Sequence, residues 1–225
     1  MVQKQLNRDT LLEIYRHLLK TIGPRHWWPA DGPFEVMVGA ILTQNTAWAN
    51  VKKAIANLKE RGLLDPHKLQ QIPERELAEL IRPSGYFNQK AKKLKAFVEY
   101  FLRRFGGSVE RMKQEDPEKL RAELLELYGI GPETADSILL YALEMPYFVI
   151  DAYTYRIFER HSWLNGRISY GEFQEFFHKN LPKDVALFNE FHALLDYVGH
   201  FYCRRIPNCP ECPLRDWLPD QERKG

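Results

Sequence analysis

The residues with the clearest chemical meaning lie in the middle of the chain, at Leu127-Tyr128-Gly129-Ile130-Gly131-Pro132-Glu133-Thr134-Ala135-Asp136. A helical pattern runs into Gly129-Ile130-Gly131, and an alanine-containing apolar pattern follows. Two glycines two apart let the backbone turn sharply and come close to a ligand, and the next helix presents N–H groups and its positive dipole end. Such a turn can hold a DNA phosphate without reading sequence. It also serves as an ordinary helix–helix turn. Beyond it the chain reads Phe148-Val149-Ile150-Asp151-Ala152-Tyr153-Thr154-Tyr155-Arg156. Asp151, behind three apolar residues, reads as the N-cap of the next helix. A carboxylate fixed there can also stabilise a cationic sugar and orient a water. The two roles are compatible.

Three other groups of residues carry weaker signals. Trp27, Trp28 and Trp48 are either core or stacking surfaces, and an indole face attracts a cationic base by about 1–2 kcal/mol when desolvated. Tyr153 and Tyr155 flank Asp151 and serve equally as packing residues. The three cysteines, Cys203, Cys209 and Cys212, are an odd set within ten residues. That favours a metal site or free thiols in a reducing compartment over disulfides. Between Arg82 and Arg104 stand Arg82, Lys90, Lys92, Lys93, Lys95, Arg103 and Arg104 against the one acid Glu99. This stripe suits a polyanion or a solvated helix face. His17, His26, His67, His161, His178 and His192 show no ligand spacing and read as surface or core residues. The acid-rich stretch Glu110 to Glu126 reads as a solvated helix face.

The elements that must position these residues are helical. Leu11, Leu12, Ile14, Tyr15, Leu18 and Leu19 recur at three- and four-residue spacing, and the pattern returns over 34–42, 51–59, 91–105 and 117–128. Asp9 is placed to cap the first helix, and Asp116-Pro117 sets a cap beside a first-turn proline. Gly23-Pro24, Gly62, Pro83-Ser84-Gly85 and Gly106-Gly107 punctuate the ends. The class is all-α, without a long linker or internal repeat, and residues 216–225 are expected to fray. The 225 residues, 44% hydrophobic and 28% charged, suffice for one large domain or two small lobes. That composition excludes a disordered chain, a collagen-like repeat and a small disulfide scaffold. The densest apolar run, Phe34 to Leu42, is about half a bilayer span and contains Glu35. The polar start, Met1 to Arg8, has no signal-peptide core, so a cytoplasmic protein is expected. The net charge of +2 decides nothing.

Taken together, the glycine turn and the later aspartate resemble the helix-hairpin-helix DNA glycosylases of the endonuclease III superfamily, over about Trp27 to Cys212. Gly39-Ala40-Ile41-Leu42-Thr43-Gln44-Asn45-Thr46 is similar to the family's first helix and loop, whose glutamine enters the gap left by a flipped base. Gly85-Tyr86-Phe87-Asn88-Gln89-Lys90-Ala91 is similar to its second loop and places Tyr86 at the wedge position. Leu127 to Asp136 matches the hairpin, and Asp151 matches the catalytic aspartate. Bifunctional members carry a lysine just before the hairpin's Thr-Ala, and that lysine attacks the sugar. Glu133 stands there. A carboxylate supplies no amine, so the resemblance implies a monofunctional enzyme that uses water. With Trp27-Trp28-Pro29 and Arg82-Pro83-Ser84-Gly85, the sequence looks most like the 3-methyladenine DNA glycosylase III subgroup. An N-alkylated purine is already cationic and departs without a strong general acid.

The resemblance implies two helical lobes with DNA in the cleft between them. One lobe would be residues 32–140, ending in the hairpin. The other would be residues 1–31 with 141–225, including the cysteine loop. It assigns catalysis to Asp151. Substrate binding falls to Trp27, Trp28, Pro29, Trp48 and Glu133, and DNA binding to Gln44, Tyr86, Gly129, Ile130, Gly131 and Thr134. Cys203, Cys209 and Cys212 resemble the superfamily's four-cysteine [4Fe–4S] loop. However, the first gap is one residue short and Leu218 stands at the fourth position. A structural cluster, zinc completed by His200, Asp216 or Asp220, and no metal all remain open. The implied partner is damaged double-stranded DNA in the nucleoid, bound by a monomer. The alternatives are a bifunctional endonuclease III-like glycosylase and lyase acting on oxidised pyrimidines, or a non-catalytic DNA-binding relative.

Overall fold

A computed structural model describes residues 6–164, 166 and 168–219. Among these residues every regular element is helical, as the periodicity predicts, and no helix is long and apolar enough to cross a membrane. The chain divides into two compact units: residues 28–145, and residues 1–27 with 146–225. Asp220 lies outside the described residues, as does the end of the segment expected to fray. That segment is ordered at its start: a 3-10 turn spans Arg215–Trp217, and Leu218 is buried.

The unit of residues 28–145 is built around α2 (Pro33–Leu42). Residues 35–42 are all buried, as expected of a helix that is apolar nearly all round. It packs against α3 (Trp48–Glu60), α6 (Phe87–Phe105) and a π-helical turn at Ile138–Ala142. Short helices α4 (Pro66–Gln71) and α5 (Glu74–Leu80) cover α6. On α6 the buried face carries Ala91, Leu94, Phe97, Val98, Phe101 and Phe105, at the predicted spacing. After α7 (Val109–Lys113), α8 (Pro117–Leu125) and α9 (Pro132–Ser137) flank the glycine turn. Asp116 caps α8, as its proline neighbour suggests, through a 2.9 Å bond from the Lys119 N–H.

The basic stripe does not face solvent as one surface. Lys90 is 1% exposed, and its ammonium donates to the Leu42 carbonyl at 2.8 Å, the Thr46 hydroxyl at 2.7 Å and the Ser84 carbonyl at 2.6 Å. Lys95 donates to the Leu69, Gln70 and Ile72 carbonyls at the end of α4. Lys93 donates to Gln44, Arg104 pairs with Glu115 and Glu123, and Arg82 pairs with Glu79. The expectation of a polyanion-binding stripe is therefore corrected: most of these cations satisfy oxygens of their own unit. Glu115 and Glu123 do the same from the acid-rich stretch.

The other unit contains α1 (Arg8–Ile22), α10 (Ala152–Arg160), α11 (Tyr170–Asn180) and α12 (Val185–Phe201). Asn7 caps α1, with its side chain accepting the Thr10 N–H at 3.0 Å, and Asp9 sits in the first turn instead of at the cap. The core is aromatic: Phe148 stacks on Phe177 at 3.8 Å between centroids, and Phe158, Phe173, Phe188 and Phe191 close around them. The apolar run before Asp151 is extended without a strand partner. Side chains of α11 hold it instead. The Phe148 N–H donates to His178 Nε2 at 2.9 Å, Gln174 donates to the Phe148 carbonyl at 2.8 Å, and the Ile150 N–H donates to the Tyr170 hydroxyl at 3.3 Å.

Substituting Lys90 by Met removes the ammonium from three oxygens, of which the Ser84 carbonyl keeps the Thr46 hydroxyl, and each buried orphan costs about 1–3 kcal/mol. The variant is expected to lose about 2–4 kcal/mol at pH 7 in denaturant titration. Burial, with Lys93 adding to it, lowers the Lys90 ammonium to about 8. The folded state therefore binds fewer protons than the unfolded state between about pH 8 and 10.5, and stability rises with pH in that window. That increment is expected in the wild type and absent from Lys90→Met.

Candidate functional site

The Gln44 and Tyr86 loops meet at Lys90. Its carbonyl and hydroxyl partners, Leu42, Thr46 and Ser84, bracket the two loops. Thr46 also donates its hydroxyl to the Ser84 carbonyl. Each loop carries a non-glycine residue in the left-handed region, Asn45 at φ 51° and Tyr86 at φ 45°. Such a conformation persists only where its surroundings impose it, and the Lys90 bonds do so here. Tyr86 opens α6 and is 67% exposed, an aromatic ring held out at a loop tip.

Gln44 lies against the hairpin. Its amide donates to the Gly129 carbonyl and the Thr134 hydroxyl, both at 3.0 Å, and its oxygen accepts from Lys93 at 2.5 Å. Gly129 has φ +74°, and a Cβ there would fall 2.3 Å from Lys93 Cε. This position is therefore glycine for two independent reasons. A Cβ at Gly131 would meet nothing within 4 Å, so that backbone faces open space. The Ile130 N–H is already donated to the Leu127 carbonyl at 3.1 Å, and its side chain is buried. Ile130 thus anchors the turn, while Gly129 and Gly131 offer the approach expected of all three. The flanking helices are clamped by Arg121 of α8, whose Nε and Nη2 donate to the two oxygens of Asp136 at 2.6 and 3.0 Å; Asp136 is 0% exposed.

Trp28, Pro29 and Trp48 come together. Trp28 and Trp48 meet edge to face at 5.2 Å, and Trp28 lies over Gly39, where a Cβ would be 3.2 Å from the indole. With Gly39, Glu35 and Lys52 they line a cavity of about 250 Å³. Trp27 belongs to the other unit. Glu133, exposed in the first turn of α9, is not one of the cavity's walls. Glu35 was legible only as a flaw in an apolar run. It accepts the Asp31 N–H at 2.9 Å and pairs with Lys59 at 2.9 Å, which sets a buried carboxylate in the cavity wall.

Asp151 is 8% exposed and caps α10. Its Oδ1 accepts the N–H and the hydroxyl of Thr154, both at 2.7 Å. Its Oδ2 faces His192 Nε2 at 3.7 Å. Asp196, one turn farther along α12, is a half-buried carboxyl, pushed up to about 7 by desolvation and the charge of Asp151 and partly offset by Arg25. In sequence His192 is one histidine without ligand spacing, and Asp196 carries no signal of its own. Their four-residue spacing put them on one helix face, but nothing in it said that Asp151 packs there.

A model of the HhH-GPD superfamily of base excision DNA repair proteins matches residues 38–183, which include the hairpin and Asp151. The chain belongs to that superfamily. The glycosylase is 46% identical over 215 residues to a candidate DNA repair glycosylase of Methanocaldococcus jannaschii, covering 95% of this chain and 98% of that one. It is 30% identical over 214 residues to endonuclease III of Thermotoga maritima, covering 95% and 94%. Among solved structures, the Helicobacter pylori 3-methyladenine DNA glycosylase bound to 1,N6-ethenoadenine aligns with a TM-score of 0.75 at 32% identity, over 87% of this chain and 98% of that one. An endonuclease III–DNA complex shares the fold, with a TM-score of 0.82 at 22% identity over 97% and 98%.

The cysteine loop of this glycosylase does not fit the four-thiolate cluster of its endonuclease III relatives. Leu218, at the fourth position, is buried. Cys203 Sγ accepts the Arg160 guanidinium at 3.1 Å, and its carbonyl accepts Arg156 at 2.6 Å. Burial pushes the Cys212 thiol up to about 11. His200 turns its ring to the Tyr153 hydroxyl at 3.5 Å. Among the described residues no three His, Cys, Asp or Glu side chains gather to hold a metal. The loop is fastened instead by the Arg156 and Arg160 bonds and by His17, whose Nε2 is 2.9 Å from the Pro213 carbonyl and whose ring meets Trp217 edge-on. A Cys209→Ser, Cys212→Ser double variant is accordingly expected to fold and release base as the parent does. Loss of activity together with loss of bound iron would restore the cluster.

Proposed function

We propose that this glycosylase hydrolyses the N-glycosidic bond of N-alkylated purines such as 3-methyladenine in duplex DNA, leaving an abasic site and an uncut backbone. The observation that carries the reading is the cavity bounded by Trp28 and Trp48. Two electron-rich indoles suit a cationic base, each by about 1–2 kcal/mol when water is excluded. The Helicobacter pylori relative, a 3-methyladenine DNA glycosylase bound to 1,N6-ethenoadenine, supports the same class. Glu133, where lyase members of the family carry a lysine, supports hydrolysis over Schiff-base chemistry.

In this mechanism Gly129 and Gly131 hold a phosphate through backbone N–H groups, with Thr134 beside them. Gln44 exchanges its bonds to Gly129, Thr134 and Lys93 for the space vacated by the flipped base, and Tyr86 wedges the duplex from the second loop. Extrusion costs least for a damaged base. Asp151 uses Oδ1 to fix its own helix and presents Oδ2 to the oxocarbenium-like sugar and the attacking water.

The test is chromatography of bases released from methylated duplex DNA. Wild type is expected to release 3-methyladenine with strands intact until alkali is added. Asp151→Asn is expected to lose on the order of a hundredfold or more in rate while still binding DNA. Borohydride trapping of a covalent adduct would replace hydrolysis with a lysine nucleophile, and Lys52 on the cavity wall would be the first to substitute.

A further inference from the structure

We propose that His192 is the positioning residue for Asp151, its imidazole steadying the carboxylate oxygen that faces the sugar. The inference rests on Asp151 being the catalytic carboxylate. The two oxygens of Asp151 are in different states: Oδ1 takes both Thr154 bonds, whereas Oδ2 accepts no hydrogen bond among the described residues and faces His192 Nε2 at 3.7 Å. A carboxylate held by one oxygen alone can still rotate about its Cβ–Cγ bond through the other. His192 sits where it limits that rotation. Catalytic hydrogen bonds are often long before substrate binds and tighten in the complex.

The packing fixes this pairing. α10 rests on α12 where Gly199 admits Tyr153, since a Cβ on Gly199 would fall 2.4 Å from Tyr153 Cβ. Phe148 closes against His192 edge-on at 6.4 Å between centroids. The ring is buried, and desolvation lowers its pKa against the opposing pull of Asp151, which favours the neutral form. A neutral imidazole with its proton on Nε2 can donate to Oδ2 without cancelling the charge of Asp151. A protonated one would cancel it. The titratable and charged groups that act on the pair are Tyr153 on α10 and Asp196 on α12, with Arg156 beside Tyr153 and Arg25 acting on Asp196. Asp196 is held protonated up to about pH 7 by desolvation and the nearby Asp151.

Single-turnover base release is to be followed from about pH 5 to pH 9 for wild type, His192→Phe and His192→Asn. His192→Phe is expected to slow release between about tenfold and a hundredfold, the scale of a misplaced reacting group, with affinity for an uncleavable abasic-analogue duplex within about twofold of wild type. His192→Asn, whose amide still donates to Oδ2, is expected to recover most of the rate. The acid limb of its pH–rate profile is expected to move to lower pH, because no imidazolium forms to cancel Asp151. A purely structural role would slow release without moving that limb. His192→Phe with the wild-type rate, or His192→Asn as slow as His192→Phe with an unmoved limb, overturns the proposal. If His192→Phe does not fold, His192→Asn decides alone by its acid limb. A wild type that releases some other base overturns the substrate reading only, and the comparison is made on that base. Intact release by Asp151→Asn overturns both.

Discussion

A single buried ammonium holds together the two loops that lead into α3 and α6. Lys90 has three protons and gives one each to Leu42, Thr46 and Ser84. Taking a cation out of water is costly unless its donors are fully used, and here they are. In return two loops more than thirty residues apart in sequence are fixed to one point, and the left-handed turns at Asn45 and Tyr86 are held against their tendency to relax. Lys93, one turn along the same helix, extends the arrangement. Its stem fills the space that a side chain at Gly129 would need, and its ammonium holds Gln44. The first loop, the second loop and the hairpin are thereby registered by one face of α6.

The other unit solves a related problem with aromatic packing and a few polar bonds. Asp151 stands at the end of an extended segment, which has no sheet to satisfy its backbone. Buried N–H and C=O groups must find partners, and α11 supplies them through His178, Gln174 and Tyr170. Tilting α11 would therefore move Asp151 along with it. The cap at Thr154 fixes the carboxylate from the other side. The position of the Asp151 carboxylate is set by ordinary devices of helix initiation, and a cap of this kind is compatible with the catalytic role proposed for it.

Much of this was legible in the sequence. The apolar run over α2, the periodicity of α6, the Asp116 cap and the hairpin glycines follow from local rules, and local rules suffice for them. The pairing of Trp28 with Trp48 came from resemblance and is present in the cavity. What was not legible depends on which faces meet. The basic stripe read as a surface because composition does not reveal that Lys90 points inward or that Lys95 reaches the end of α4. Glu35 looked like a flaw in an apolar run, since only the fold brings Lys59 to it. His192 and Asp196 were unremarkable on their helix until α10 was packed over them. Asn7 displaced Asp9 as the first cap by two residues, within the latitude of any helix boundary. The departures in the cysteine loop were visible from spacing alone, and the buried Leu218 gives them a physical meaning.

Three buried charged groups in this glycosylase can be ranked by the capacity left after their structural bonds are made. Lys90 donates all three protons, and Asp136 has both oxygens taken by Arg121. Both are complete, and a complete group has nothing to offer a substrate. Asp151 differs by one oxygen. Its cap consumes Oδ1, and Oδ2 stays close to a neighbour that burial inclines toward neutrality. A buried carboxylate with an uncommitted oxygen is expensive to fold, because its desolvation is only partly offset. Stability alone would favour completing it, as it did at Asp136. In the proposed mechanism that open oxygen is the one that meets the developing sugar cation, so its incompleteness is consistent with a role that structure alone does not demand.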